Sequence, residues 1–177
     1  MRKFLIAALL FLASTLAFAQ GGRTKVTLAS YTQYAGFSVD APIALTQNEA
    51  TNGKTTSGVG YSNVTYTGAM PNGDFYEVGV AEYPFAVSNE DLNRAVEGFR
   101  SAIDGKVLTQ EDATVSGQSA KATIISAKDP DGKEIRFAVL ITYKGSLIYV
   151  FAFATYLEVT DTDMDAMKRF FTSARIQ

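Results

Sequence analysis

From Arg136 to Thr155 the chain is apolar and aromatic almost throughout, broken only at Tyr143-Lys144-Gly145-Ser146. Both runs, Arg136 to Tyr143 and Ser146 to Thr155, are rich in β-branched and aromatic residues that suit a pleated, half-buried surface. A Lys-Gly centre fits a tight turn, because glycine accepts positive φ. Continuous apolar runs between turn signals predict central strands covered on both faces. The period then changes. Thr160 or Asp161 can cap a helix start. Asp163 and Asp165 fall near its first turn, where the helix dipole favours acids. Met164, Met167, Phe170 and Phe171 recur at helical spacing as one apolar face, and Lys168 and Arg169 lie towards the other end. Ala174-Arg175-Ile176 reads as a tail that leaves the helix and docks on the sheet.

The earlier chain reads in the same way. Lys25 to Ala29 is a possible strand within an irregular lead-in. Gly36-Phe37-Ser38-Val39-Asp40-Ala41-Pro42 predicts a short strand stopped by proline, which cannot donate to a central ladder. Asn52-Gly53 signals a turn. Thr55 to Gly68 follows, and the step from Tyr61 to Val64 predicts a bulge near Ser62-Asn63. Met70-Pro71-Asn72-Gly73 is a turn that returns the chain as a strand from Asp74 to Tyr83. Ser88 and Asp91 stand at capping-box spacing. Leu92, Val96, Phe99 and Ile103 then form one buried helical stripe, ended by Asp104-Gly105. Lys106 to Ala113 and Ala120 to Ala127 are strands around a turn at Gly117-Gln118-Ser119. Asp129-Pro130-Asp131-Gly132 turns the chain into the Arg136 strand.

The amino terminus has a different character. Arg2 and Lys3 precede a short apolar run, Phe4 to Leu12, and Ala17-Phe18-Ala19 matches a small-x-small cleavage site. That is the pattern of a Sec-type signal peptide over residues 1–19, predicting a periplasmic or extracellular protein. Residues 20–33 form the lead-in and 34–177 a single domain. Without residues 1–19 the chain keeps 14 basic residues against 18 acidic ones. This balance disfavours nucleic acid and anionic membrane surfaces, which select basic patches. No later apolar run is long enough to predict a stable membrane insertion.

The chain has no Cys, no His and no Trp. Disulfides are therefore excluded, and stability must come from the core. So are Ser-His-Asp and Cys-His catalysis, and the thiolate and imidazole ligands of most zinc, copper and haem sites. No cofactor and no metal are expected. Asp161-x-Asp163-x-Asp165 has the spacing that opens a calcium loop. However, Ala166 stands where such a loop needs Gly and Thr172 where it needs Glu, so helix capping accounts for the acids. Asp129, Asp131 and Glu134 read as a solvated turn. Glu77 and Glu82 lie on opposite faces of a regular strand, which speaks against a shared carboxylate site. Asn63-Val64-Thr65 is a glycosylation sequon, expected to be unused behind a bacterial-type signal. Most of the nine tyrosines are expected to be strand residues with the hydroxyl at the rim. Tyr31, Tyr34 and Tyr83, in or beside loops, are candidates for a partner-contact surface.

The Gly36–Pro42 segment, Tyr149-Val150-Phe151 and the closing Phe170-Phe171-Thr172-Ser173-Ala174-Arg175-Ile176 carry a resemblance. With the order of elements above, the chain resembles the PsbP/Mog1-like superfamily over about residues 34–177, and more closely its small exported bacterial members. The resemblance implies an α+β fold with a central antiparallel sheet flanked by helices, an α/β/α sandwich. It also implies action through protein binding, and it carries no site residues.

Sequence and resemblance together predict a non-catalytic, exported factor that binds another envelope protein in an assembly or accessory role. The alternative is a carrier of a small apolar ligand held between the sheet and the C-terminal helix, lined by Met164, Met167, Phe170, Phe171 and the strand Tyr149 to Phe153. A carboxylate hydrolase is a third reading, and it lacks a convergent acid pair.

Overall fold

The computed structural model describes residues 24–27, 36–55, 57–156 and 161–177, with the side chains of 24–27 and 161–164 left aside. Residues 1–19, Tyr31 and Tyr34 lie outside the described residues. The strands are β1 (Thr24–Thr27), β2 (Phe37–Ala41), β3 (Thr46–Gln47), β4 (Thr51–Lys54), β5 (Gly60–Ala69), β6 (Phe75–Glu82), β7 (Lys106–Val115), β8 (Gln118–Lys128), β9 (Glu134–Lys144), β10 (Leu147–Thr155) and β11 (Arg175–Ile176). The helices are α1 (Asn89–Ala102), between β6 and β7, and α2 (Asp161–Ser173), between β10 and β11.

An eight-stranded antiparallel sheet runs β3-β5-β6-β10-β9-β8-β7, with β4 also on β5. The closing hairpin lies at its centre: Val150 pairs with Ile141 of β9 on one side and Gly79 of β6 on the other. Gly145, at φ 61°, makes the turn between β9 and β10. Central placement explains why these strands are apolar on both faces. The first face carries Val64, Tyr66, Tyr76, Val78, Tyr149, Phe151 and Phe153, packed against Phe37, Val39, Phe170 and Ile176. The second carries Ile125, Val139, Ile141, Ile148 and Ala152, packed against Leu92 and Val96 of α1, with Phe99 and Ile103 alongside. The stripe read from the sequence is therefore the buried face of α1.

The expected α/β/α sandwich is not what forms. The fold is β-rich, with 54% strand and 17% helix. The sequence reading took any sheet buried on both faces to need helical layers. Instead, much of the first face is covered by a second sheet, of order β1-β2-β11, together with α2. On the second face α1 lies over β8 and β9. The C-terminal tail docks as β11, pairing Ile176 with Phe37.

Local differences have local causes. Asn52-Gly53 lies inside β4, where Gly53 pairs with Tyr61. The turn falls at Thr55–Val59, closed by Val59 C=O accepting from Thr55 N–H at 2.8 Å. The bulge expected near Ser62-Asn63 is absent: β5 pairs with β6 in unbroken register from Ser62 to Ala69. Tyr61 and Val64 face opposite sides of the sheet, so no extra residue is needed. The register shift instead falls in β7, between Val107 and Thr109. The β7–β8 turn sits at Ser116-Gly117, with φ 50° and 79°, a residue earlier than expected. At the start of α1, Ser88 N–H and Oγ both donate to Asp91 Oδ2, at 2.9 and 2.8 Å. At its end Asp104, at φ 49°, takes the left-handed position next to Gly105.

Candidate functional site

Because α1 lies over β8 and β9, neither of the described helices covers the part of the second face built by β5 and β6. Strand periodicity brings Tyr61, Asn63, Thr65 and Thr67 of β5 to this face, opposite Glu77, Gly79 and Ala81 of β6. Val150 and Ala152 of β10 line the side nearer α1. Asn48 holds the other side. Its Nδ2 donates to Thr65 Oγ1 at 2.9 Å and to Thr67 Oγ1 at 3.2 Å, and its N–H donates to Thr65 C=O at 2.8 Å.

One end of this strip is aromatic. Tyr61 and Tyr83 stack with centroids 5.2 Å apart and planes 30° apart. Phe85 tilts against Tyr83 at 5.4 Å. The loop carrying them is fixed at both ends: Tyr83 N–H donates to Ser146 C=O at 3.0 Å, and Val87 N–H to Gly145 C=O at 2.8 Å. Between these bonds Phe85 remains 41% exposed. Burial, with the nearby Tyr61 and Asp91 adding smaller effects, pushes the Tyr83 hydroxyl up to about 12. That hydroxyl therefore stays protonated at any physiological pH. Of the three tyrosines read from the sequence as contact candidates, Tyr83 is placed here, and Tyr31 and Tyr34 lie outside the described residues.

The other end is acidic. Glu77 sits on the sheet beside Thr67 and Ala152. Its carboxylate leans along β6 towards Gly79, so that Oε1 lies 3.8 Å from where a Cβ on Gly79 would stand. Burial pushes its pKa from 4.5 up to about 7. The side chain is deep among protein atoms, yet the residue keeps part of its surface open, so its proton can exchange with solvent. No cation or hydrogen-bond donor among the described residues contacts it. Sequence reasoning weighed Glu77 only as half of a pair with Glu82, and the register does place the two on opposite faces. The signal for its position was an acid set between Tyr76 and Val78, within the apolar part of a strand whose other acid, Glu82, stands at its end.

The remaining candidates stay apart from this strip. Asp129 Oδ1 accepts from Asp131 N–H at 3.0 Å and Lys133 N–H at 2.8 Å, as a turn-forming aspartate does. The helix expected to be capped by Thr160 or Asp161 starts with Asp161 as its first residue, Thr160 lies outside the described residues, and Asp165 is exposed. The side chains of Asp161 and Asp163 are outside the described residues. No group of three acidic, Cys or His side chains converges among the described residues. A cleft of about 390 Å³ opens beside Gly105, flanked by Asp104, Lys106, Lys128 and Glu134. Its charges of both signs are exposed, and Ser126 Oγ donates to Glu134 Oε1 at 3.0 Å.

No protein-family model matches the chain, and no curated protein matches it at the significance required. No helix among the described residues is long and apolar enough to cross a membrane.

Proposed function

We propose that the chain is an exported, non-catalytic protein-binding module of the cell envelope, acting as an assembly or accessory factor. The observation that carries this reading is the Tyr61–Tyr83–Phe85 ridge. Three aromatic rings are held in fixed geometry at the open end of a sheet face, with Phe85 turned to solvent. Rigid aromatic side chains bury much area for little lost conformational freedom, which suits them to anchor an interface. Export rests on the signal-like pattern of residues 1–19, and the binding role agrees with the resemblance to the PsbP/Mog1-like superfamily. Glu77 has the proton affinity of a general acid or base, but among the described residues no second carboxylate stands on the strip, and the nearby hydroxyls of Thr65 and Thr67 are hydrogen-bonded to Asn48 and not to Glu77.

The apolar-carrier alternative is less favoured, for a packing reason. Phe170 of α2 lies edge-on to Tyr76 at 5.2 Å and to Phe151 at 6.3 Å, while Tyr76 meets Phe153 at 5.0 Å. These rings occupy the layer in which a ligand would have to sit.

The test is a photoreactive phenylalanine analogue at position 85, introduced in the cells that make the protein. A discrete covalent adduct with another protein is expected on irradiation. The same probe at Leu108, the other large apolar side chain exposed to this degree among the described residues, at 45%, serves as the control. Adducts at neither position would count against a binding role.

A further inference from the structure

The strip between the aromatic ridge and Glu77 has a chemical polarity that specifies what it takes. Gly79 and Ala81 make its floor low between the two ends. A Cβ on Gly79 would lie 3.7 Å from Val150 Cβ, 3.8 Å from Thr65 Cγ2 and 3.8 Å from Glu77 Oε1. These neighbours close over position 79, since Gly79 is buried and Thr65 is 6% exposed, so the accessible part of the strip runs from Glu77 past the half-buried Val150 to Ala81. Among the described residues every neighbour that faces Glu77 is uncharged: Thr65 and Thr67 from β5, Val150 and Ala152 from β10, Phe75 and Gly79 from its own strand. A carboxylate held without a counter-charge on a partly open surface is complementary to a cation brought by something else.

We infer that the β5–β6 strip docks an extended protein segment that places a lysine or arginine against Glu77 and an apolar side chain against Tyr83 and Phe85. From position 77 to position 83 the strand advances about 20 Å at roughly 3.3 Å per residue. An extended segment of about seven residues therefore reaches both ends. The stem of a lysine or arginine can lie along Val150 and Ala81 while its head meets the carboxylate. This inference rests on the binding role proposed above and adds the chemistry of the partner. The acidic balance of the chain, 18 acidic residues against 16 basic, has the same sign.

The experiment extends the crosslinking to Ala81, in the middle of the strip, and maps the captured segment by mass spectrometry. That segment is then made as a synthetic peptide and titrated against the purified protein at pH 6 and pH 8. The expected result is a segment containing Lys or Arg, bound at least tenfold more weakly by Glu77→Gln. Binding to the unaltered protein should tighten from pH 6 to pH 8, as the carboxylate ionises, and binding to Glu77→Gln should lack that gain. Phe85→Ala removes the apolar anchor at the other end and should weaken binding without touching the charge. Thermal unfolding confirms that each variant is folded, and if Glu77→Gln is not, Phe85→Ala and the pH dependence carry the test. Adducts at 85 and 81 whose peptide binds Glu77→Gln as well as the original would overturn the basic-segment inference and leave the binding role standing. A captured segment without Lys or Arg, or a second copy of this chain, overturns it in the same way. No adduct at 81, 85 or 108 removes both.

Discussion

Tyr61 lies across the β4–β5 pair directly on Gly53. A Cβ at position 53 would stand 2.6 Å from the Tyr61 hydroxyl oxygen and 2.9 Å from Cε1. The ring can take that place only because residue 53 has no side chain, and from there it stacks on Tyr83. Glycine in a strand normally weakens it, since it adds conformational freedom to the unfolded chain and packs nothing. Here the aromatic ring covers the bare backbone and makes up part of that loss. Gly53→Ala should therefore displace Tyr61 and cost about 1 kcal/mol, the low end for a forced side-chain shift. In a Tyr61→Ala background the same change should be neutral or stabilising. Urea unfolding of the four proteins in a double-mutant cycle checks this, and additive effects would mean that the contact does not matter.

Glu77 gives the fold a pH dependence of definite sign. Its pKa is raised from 4.5 to about 7 by burial, so between those values the folded chain holds more protons than the unfolded one. Stability then falls as pH rises through that window. Below pH 4.5 this group contributes no penalty, and above pH 7 the penalty is complete, at up to ~3 kcal/mol from 1.36 kcal/mol per unit. Glu77→Gln removes the ionisation and should flatten the profile between pH 5 and pH 7.5. The variant should be the more stable protein at pH 8. Chemical denaturation across that range would show the difference, and parallel curves for the two proteins would exclude the assignment.

What the sequence disclosed followed from periodicity, and what it hid followed from tertiary contact. The α1 stripe of Leu92, Val96, Phe99 and Ile103, and the continuous apolar runs of β9 and β10, are set by which residues must be buried, so they were readable. Gly53 was misread because the usual meaning of Asn-Gly is a turn, and only a ring arriving from the next strand makes it a strand position. The layers were misread because sequence shows that a face is buried but not what buries it. Phe37, Val39 and Ile176 cover the first face as a small sheet, in a place where helices were expected. On the β5–β6 strip, Tyr83 was singled out from its position beside a loop, and the structure places it between Tyr61 and Phe85. The loneliness of Glu77 depends on the absence of any cation across β5 and β10, which no local pattern records.

Thr123 offers a test of the second face beneath α1. It is 2% exposed on β8, and its Oγ1 has no hydrogen-bond partner. A hydroxyl buried without a partner keeps its desolvation cost, about 1–3 kcal/mol. Thr123→Val replaces it with a methyl group of similar shape, in a strand that favours β-branched residues. The variant should be more stable by about 1 kcal/mol, seen as a higher denaturant midpoint with an unchanged slope. A loss of stability would show that the hydroxyl does find a partner in solution.

Phe170 decides between a filled core and a ligand chamber. It is fully buried on α2, and its ring meets Tyr76, Phe151 and Phe171 edge-on at 5.2, 6.3 and 5.2 Å. Each of these pairs adds a specific geometric preference to the burial of apolar area. Phe170→Ala removes the ring at the centre of the group and should cost about 3–5 kcal/mol, the range for large-to-small changes in a packed core. If the layer is filled as the rings indicate, the original protein has no room for a small aromatic guest, whereas the truncated core has a dry space of suitable size. Titration with toluene, followed by methyl chemical shifts, should therefore show saturable binding to Phe170→Ala and none to the original. The order of events on heating should also differ, with added toluene raising the midpoint of the variant alone, since a ligand bound only by the folded state stabilises it. Saturable binding to the unaltered protein would mean that the layer between α2 and the sheet opens without any truncation, and the carrier reading would then take precedence over the docking one.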